Sequence, residues 1–102
     1  MNEGEISKIF VDLETGLRRF KQEWAMEALA RIESRTPIDT GALQRGWGQT
    51  QRATGFDIWN TKDYAAYVEF GTPHHAPVGM ISTTLVEADQ ISTIAKQRAG
   101  IK

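Results

Sequence analysis

The side chains best suited to chemistry sit in the second half of the chain, where His74 and His75 are adjacent and Glu69 and Asp63 lie upstream. Imidazoles and carboxylates are common zinc ligands and common partners in proton transfer. A small metal-dependent hydrolase using Glu69, His74 and His75 is therefore one reading of the chain. The spacing serves that chemistry poorly. Neighbouring residues in an extended loop project to opposite sides, so one ion does not readily take both imidazoles. The order also matches no helix-borne zinc motif. The plainer reading makes both histidines loop residues that could line a subunit contact.

Other reaction types find less support. Serine and threonine are plentiful, but none occupies a Gly-x-Ser-x-Gly elbow. Gly41, Gly46 and Gly48 fall in a turn and a hairpin, not between a strand and a helix start, so they form no phosphate cradle. Cysteine is absent, which removes disulfides, thiolate metal sites and a thiol nucleophile. No catalytic residue, metal or cofactor is expected.

Two turn-forming segments are more specific. The first is Thr36-Pro37-Ile38-Asp39-Thr40-Gly41-Ala42-Leu43; the second follows Asn60 and runs Tyr64-Ala65-Ala66-Tyr67-Val68-Glu69-Phe70-Gly71-Thr72. In the first, the Asp39 carboxylate can accept backbone N–H groups just ahead, and Gly41 can take positive φ. Asp39 thus reads as a turn or short-helix cap leading into a strand. In the second, Glu69 stands among Tyr67, Val68 and Phe70, where a charge must point outward or find a partner. An arginine such as Arg45 or Arg52 is one candidate partner; a solvated carboxylate is the alternative.

The elements that position these segments begin with a long amphipathic helix. Ile6, Ile9, Phe10, Leu13, Leu17, Phe20, Trp24, Ala28 and Ile32 recur at spacings of three and four, which makes one apolar stripe. Glu14 to Arg18 and Glu27 to Arg31 are favourable i,i+4 pairs. Pro37 ends the stretch, because the residue before a proline is pushed out of the helical region. About 30 residues make a rod of roughly 45 Å. A compact chain of this size is only about 30–35 Å across, so an unbroken helix overhangs its own domain. A bend at Gly16 would instead fold the helix back on its sheet.

The middle reads as a hairpin, with strands at about 43–52 and 55–60 around an Ala53-Thr54-Gly55 turn. Phe56, Ile58 and Asn60 alternate with Asp57 and Trp59, which puts Trp59 on the face away from the core. Gly46 and Gly48 beside Trp47 suggest a bulge or close backbone approach. Asp63 is placed to cap a short helix over 64–70, for which a third strand is the alternative. An irregular loop over 71–79 leads to a final helix at about 80–98, with Ile81, Leu85, Ala88, Ile91 and Ala95 on one side.

The 102 residues suit a single domain spanning 1–102 with one modest core. A formal net charge of −1 argues against a surface built to grip phosphate backbones, and so against a DNA-binding regulator. The N-terminus, Met1-Asn2-Glu3-Gly4-Glu5, lacks signal-peptide order, and no apolar run approaches the roughly 20 residues of a membrane span. A soluble protein made in the cytoplasm is expected.

A long N-terminal helix followed by Thr-Pro-Ile-Asp-Thr-Gly-Ala-Leu-Gln-Arg-Gly-Trp, Ile-Trp-Asn and Tyr-Ala-Ala-Tyr-Val-Glu-Phe-Gly-Thr resembles the HK97 gp10-like family of tailed-phage proteins. The resemblance runs from about Ile9 to Leu85. Its members are tail-completion or neck (minor tail) proteins. The family commonly continues with a proline and an aromatic-containing segment; here Ala76-Pro77-Val78-Gly79-Met80 has no Phe.

The resemblance implies an α+β fold, with a small antiparallel sheet packed by the long helix, a short helix and a C-terminal helix. It implies a homo-oligomeric ring at the virion neck, made in the host bacterial cytoplasm. That ring would join the DNA-filled head to the tail, contacting other connector proteins and the tail terminator or tube. DNA would pass through its lumen without specific binding. The sites would be interfaces: the stripe of Leu13, Leu17, Phe20 and Trp24, and two loop regions. One loop region holds Asp39, Thr40 and Gly41; the other holds Tyr67, Glu69, Phe70, Gly71, Thr72, His74 and His75.

Overall fold

The structure is a computed structural model that describes all residues except Met1, Asp39, Thr40, His74, His75 and Lys102, and only the backbone of Ile6, Ile9, Phe10, Val11 and Asp12. The expected sites Asp39, Thr40, His74 and His75 thus lie outside the described residues. In chain order the elements are α1 (Glu3–Arg35), α2 (Ala42–Arg45), β1 (Trp47–Arg52), β2 (Gly55–Asn60), α3 (Ala65–Phe70), α4 (Met80–Val86) and α5 (Ala88–Ala99). The fold is α+β, as expected, with β1 and β2 forming a two-stranded antiparallel sheet.

Helix α1 is unbroken through Gly16, and its 33 residues make a rod of about 50 Å. The Asn2 side chain accepts the Glu5 amide at 2.9 Å, and Glu3 and Glu5 place negative charge at the amino end. At the other end Thr36 is extended ahead of Pro37 (φ −79°, ψ 126°). The molecule measures 65 × 23 × 21 Å, with a radius of gyration of 17.4 Å against about 13 Å for a compact chain of this size. The overhang is real and the bend at Gly16 is not formed.

Two strands cannot enclose a core, so the helices supply it. Buried Ile32, Leu43, Trp47 and Met80 form the centre, with Leu29, Ile58, Ala65, Val68 and Ile81 packed around it. Helix α5 runs along α1. Ala25 and Ala28 on α1 and Ile91, Ala95 and Ala99 on α5 are buried, and such short side chains let two helices approach closely. Trp24 ties three elements together. Its Nε1 donates to Ser92 Oγ at 3.0 Å, and its ring lies 5.6 Å from that of Phe56 on β2. Lys21 Nζ donates to the carbonyls of Arg52 (2.6 Å) and Ala53 (3.3 Å), holding the hairpin tip on α1.

The structure departs from the sequence expectations at several points. Leu43 to Arg45 belong to α2, so β1 starts at Trp47. Gly48 pairs with Trp59, and a Cβ there would lie 2.4 Å from the indole. The two glycines therefore mark close approach, not a bulge. The 64–70 segment is helix, but Tyr64 is its N-cap residue and no side chain caps it; Asp63 does not. The last helix is two. Glu87 (φ −93°, ψ 15°) breaks it, so Met80 and Thr84 turn inward while Leu85 faces out. Of the two expected i,i+4 pairs, Glu27 and Arg31 meet at 3.3 Å, whereas Glu14 and Arg18 form no ion pair.

The α4–α5 break is held against α1 by charge. Glu87 Oε1 lies 2.6 Å from Arg35 Nη2 and 3.1 Å from Arg31 Nη1, and Arg98 reaches Glu27 at 3.2 Å. The hydrogen bond from Arg35, aided by Arg31, outweighs desolvation and holds the Glu87 carboxyl below its ordinary value of 4.5. A carboxylate whose folded pKa is lowered adds stability above its unfolded pKa and loses it as pH falls through the folded one. Urea midpoints should thus fall on acidification below about pH 4.5, and Glu87→Gln should flatten that part of the profile. A profile identical in the two proteins would remove this network from the stability account.

Candidate functional site

Glu69 is the residue whose surroundings differ most from expectation. It is 6% exposed, and neither arginine is its partner. Oε1 accepts the Ile81 amide at 2.7 Å and Oε2 accepts the Ser82 amide at 3.1 Å. These are among the first N–H groups of α4, which have no partner within the helix. The Val78 and Gly79 amides bond to the carbonyls of Val68 and Glu69 at 2.9 and 3.1 Å. Gly71 supports the return of the chain with φ 81°. Both carboxylate oxygens thus fasten α4 to α3, which is a structural use of the charge.

The two turn-forming segments are brought together. Pro37 from the first lies beside Tyr64, Tyr67, Val68 and Thr72 from the second, around a shallow hollow of about 370 Å³ closed by Ala76 and Val78. Tyr67 is 65% exposed, and Ile38, Tyr64 and Val78 are also exposed. Gly41, in the left-handed region at φ 81°, begins α2 and directs Leu43 into the core. Tyr67 and Thr72 of the expected site are therefore continuous with the Pro37 turn as one surface, whereas Glu69 is buried and Phe70 faces the other side of α3.

On the other side of α3 is a second, larger feature. Trp59, Phe70 and Leu85 edge a cleft of about 490 Å³, with buried Trp47 and half-buried Ile58 and Ile81 at its base and Lys62 and Asp63 at its mouth. Phe70 is 78% exposed. Leu85 is 58% exposed, whereas Ile91 and Ala95, expected on the same side of one helix, are buried on α5. The exposed Trp59 follows from strand alternation.

The stripe of α1 divides into two parts. Trp24 is half-buried by its contacts with Ser92 and Phe56, and Phe20 is also half-buried. Leu13 and Leu17, 57% and 60% exposed, lie on α1 beside the end of α5. They border a hollow of about 410 Å³ with Gly16, Ala99 and Ile101. Adjacent exposed apolar side chains of this kind mark interaction surfaces. Among the described residues no His, Cys, Asp or Glu cluster is arranged to hold a metal, and no helix is long and apolar enough to cross a membrane.

Residues 5–71 match the family model of HK97-gp10-like proteins, whose description reads "Bacteriophage HK97-gp10, putative tail-component". The chain belongs to that family, and a phage tail component is a structural constituent of the virion. The match ends at Gly71, short of the expected Leu85 and just before the Ala76–Met80 segment that departs from the family pattern. No curated protein and no solved structure matches the chain.

Proposed function

We propose that this chain is a neck or tail-completion protein that forms a homo-oligomeric ring at the head–tail interface. It works by surface complementarity and not by catalysis. One observation carries the reading: a helix projecting from its own domain with Leu13 and Leu17 exposed, in a member of a tail-component family. Such a stripe has no function in an isolated monomer and a clear one in an assembly. The surface of Ile38, Tyr64, Tyr67 and Val78 would then meet other connector proteins or the tail terminator or tube.

A net charge of −1 suits a lumen through which DNA slides, since each phosphate contact adds affinity that would hold the duplex in place. Electron microscopy of particles carrying an epitope-tagged copy tests the location. Antibody at the neck is expected; label confined to the tail tip or capsid surface would overturn the reading.

A further inference from the structure

The two strands of the sheet have different outer edges. The Thr61 amide donates to the Gly46 carbonyl at 3.0 Å, which continues the register that sets Trp47 opposite Asn60. Gly48, Thr50 and Arg52 are therefore the β1 residues that exchange hydrogen bonds with β2. The amides and carbonyls of Gln49 and Gln51 point away from it, and among the described residues nothing else bonds those groups. The edge of β2 at Ile58 and Asn60 instead borders the cleft shared with α3 and α4.

Natural sheet edges refuse another strand by carrying charge, proline or a bulge. Residues 47–51 are Trp-Gly-Gln-Thr-Gln, and their register with β2 runs unbroken to Arg52. Beside this edge is a groove of about 550 Å³, where Leu17, Arg18, Lys21 and Gln22 of α1 face Gln51 and Arg52. Gln51 Oε1 is buried with no hydrogen-bond partner, while its Nε2 donates to Gln49 Oε1 at 3.0 Å. A buried acceptor left unpaired is destabilising, and a donor arriving along the edge would relieve it.

Outward amides and carbonyls at a two-residue spacing are matched by the backbone of another strand. Charge decides which strand. Arg18, Lys21 and Arg52 line the groove against one carboxylate, Glu14. Lys21 is bonded to the Arg52 and Ala53 carbonyls and Arg52 is paired with Asp57, whereas Arg18 has no ion-pair partner among the described residues. A second copy fits badly. Antiparallel pairing of two β1 strands about Gln49 would set Arg45 of one copy opposite Ala53 of the other, among the same cations.

We propose that the free edge of β1 accepts an extended, carboxylate-bearing segment of a different protein as a third strand, with a carboxylate on Arg18. This contact goes beyond the ring reading and does not depend on it.

Amide exchange in the full chain tests the contact, because the expected pattern has a period of two. In the free protein Gln49 and Gln51 should exchange fast, and Gly48 and Thr50, bonded to β2, slowly. The probe is the blocked peptide Thr-Glu-Val-Glu-Val-Thr at about millimolar concentration. It should slow Gln49 and Gln51 at least about twofold, the factor reached when peptide concentration equals Kd, and leave Gly48 and Thr50 unchanged. No protection at that concentration would overturn the proposal. Slow exchange at Gln49 and Gln51 in dilute free protein would overturn it too, because the edge would then be closed. Protection that grows with protein concentration alone would replace the proposed partner with a second copy.

The same peptide with lysine at both glutamate positions should bind at least about tenfold more weakly. Equal binding would remove the charge selection. Arg18→Glu, on an exposed position of α1, should leave melting unchanged and reverse the preference between the two peptides. A retained preference for the acidic peptide would contradict the role given to Arg18.

Discussion

Trp47→Ala is expected to lower stability by about 3–5 kcal/mol, the range for deleting a large buried aromatic. Trp47 is packed with Ile32, Leu43 and Met80, and its Nε1 donates to Thr36 Oγ1 at 2.8 Å. Thr36 Oγ1 in turn donates to the Ile32 carbonyl at 2.7 Å, at the point where α1 ends. One indole therefore fills the core and fixes the turn that carries Pro37. Small domains total only about 5–15 kcal/mol, so much of the population would unfold. A drop in Tm of 12 °C or more follows from about 4–8 °C per kcal/mol. Trp47→Phe keeps most of the volume and loses the hydrogen bond, so about 1–2 kcal/mol is expected. Thermal unfolding checks both, and an alanine variant melting like wild type would contradict the core assignment.

Glu69→Ala is expected to cost about 2–4 kcal/mol, because two hydrogen bonds to a buried carboxylate are lost and two amides are left without partners. The loss should appear in the isolated monomer. It should appear first as faster amide exchange at Ile81 and Ser82, since these two amides donate to the Glu69 oxygens. Leu85 on α4 forms one edge of the cleft, so assembly should weaken as a consequence. Glu69→Gln keeps one acceptor oxygen but turns an NH₂ toward the other amide, which places it between wild type and alanine. A Glu69→Ala monomer with unchanged melting and exchange would return Glu69 to the role of a surface contact residue.

Much of this architecture is legible in residue order because local and global preferences agree. The stripe from Leu13 to Ile32, the Pro37 stop and the Phe56–Asn60 alternation each have a period that admits one element. Length implied an overhang for an unbroken helix, with a bend at Gly16 as the alternative; the continuous α1 and the 65 Å long axis bear out the first.

What was not legible depends on tertiary geometry. Glu69 gives no local sign that its partners are amides twelve and thirteen residues ahead, since the intervening loop has no period. At the break between α4 and α5, Glu87 pairs with Arg31 and Arg35, which lie more than fifty residues earlier on another helix, and Leu85 edges the cleft while Ile91 and Ala95 are buried. Leu43 to Arg45 form α2 although their apolar and polar order also suits a strand. The positive φ of Gly41 and the Asn60 side chain, which donates to the Leu43 carbonyl at 2.8 Å, set that turn.

The most direct test of the central claim is electron microscopy of particles made by the encoding phage when this chain is not produced. DNA-filled heads lying apart from completed tails are expected, with joining restored when the wild-type chain is supplied. Normal tailed, infectious particles would contradict a role in joining head to tail.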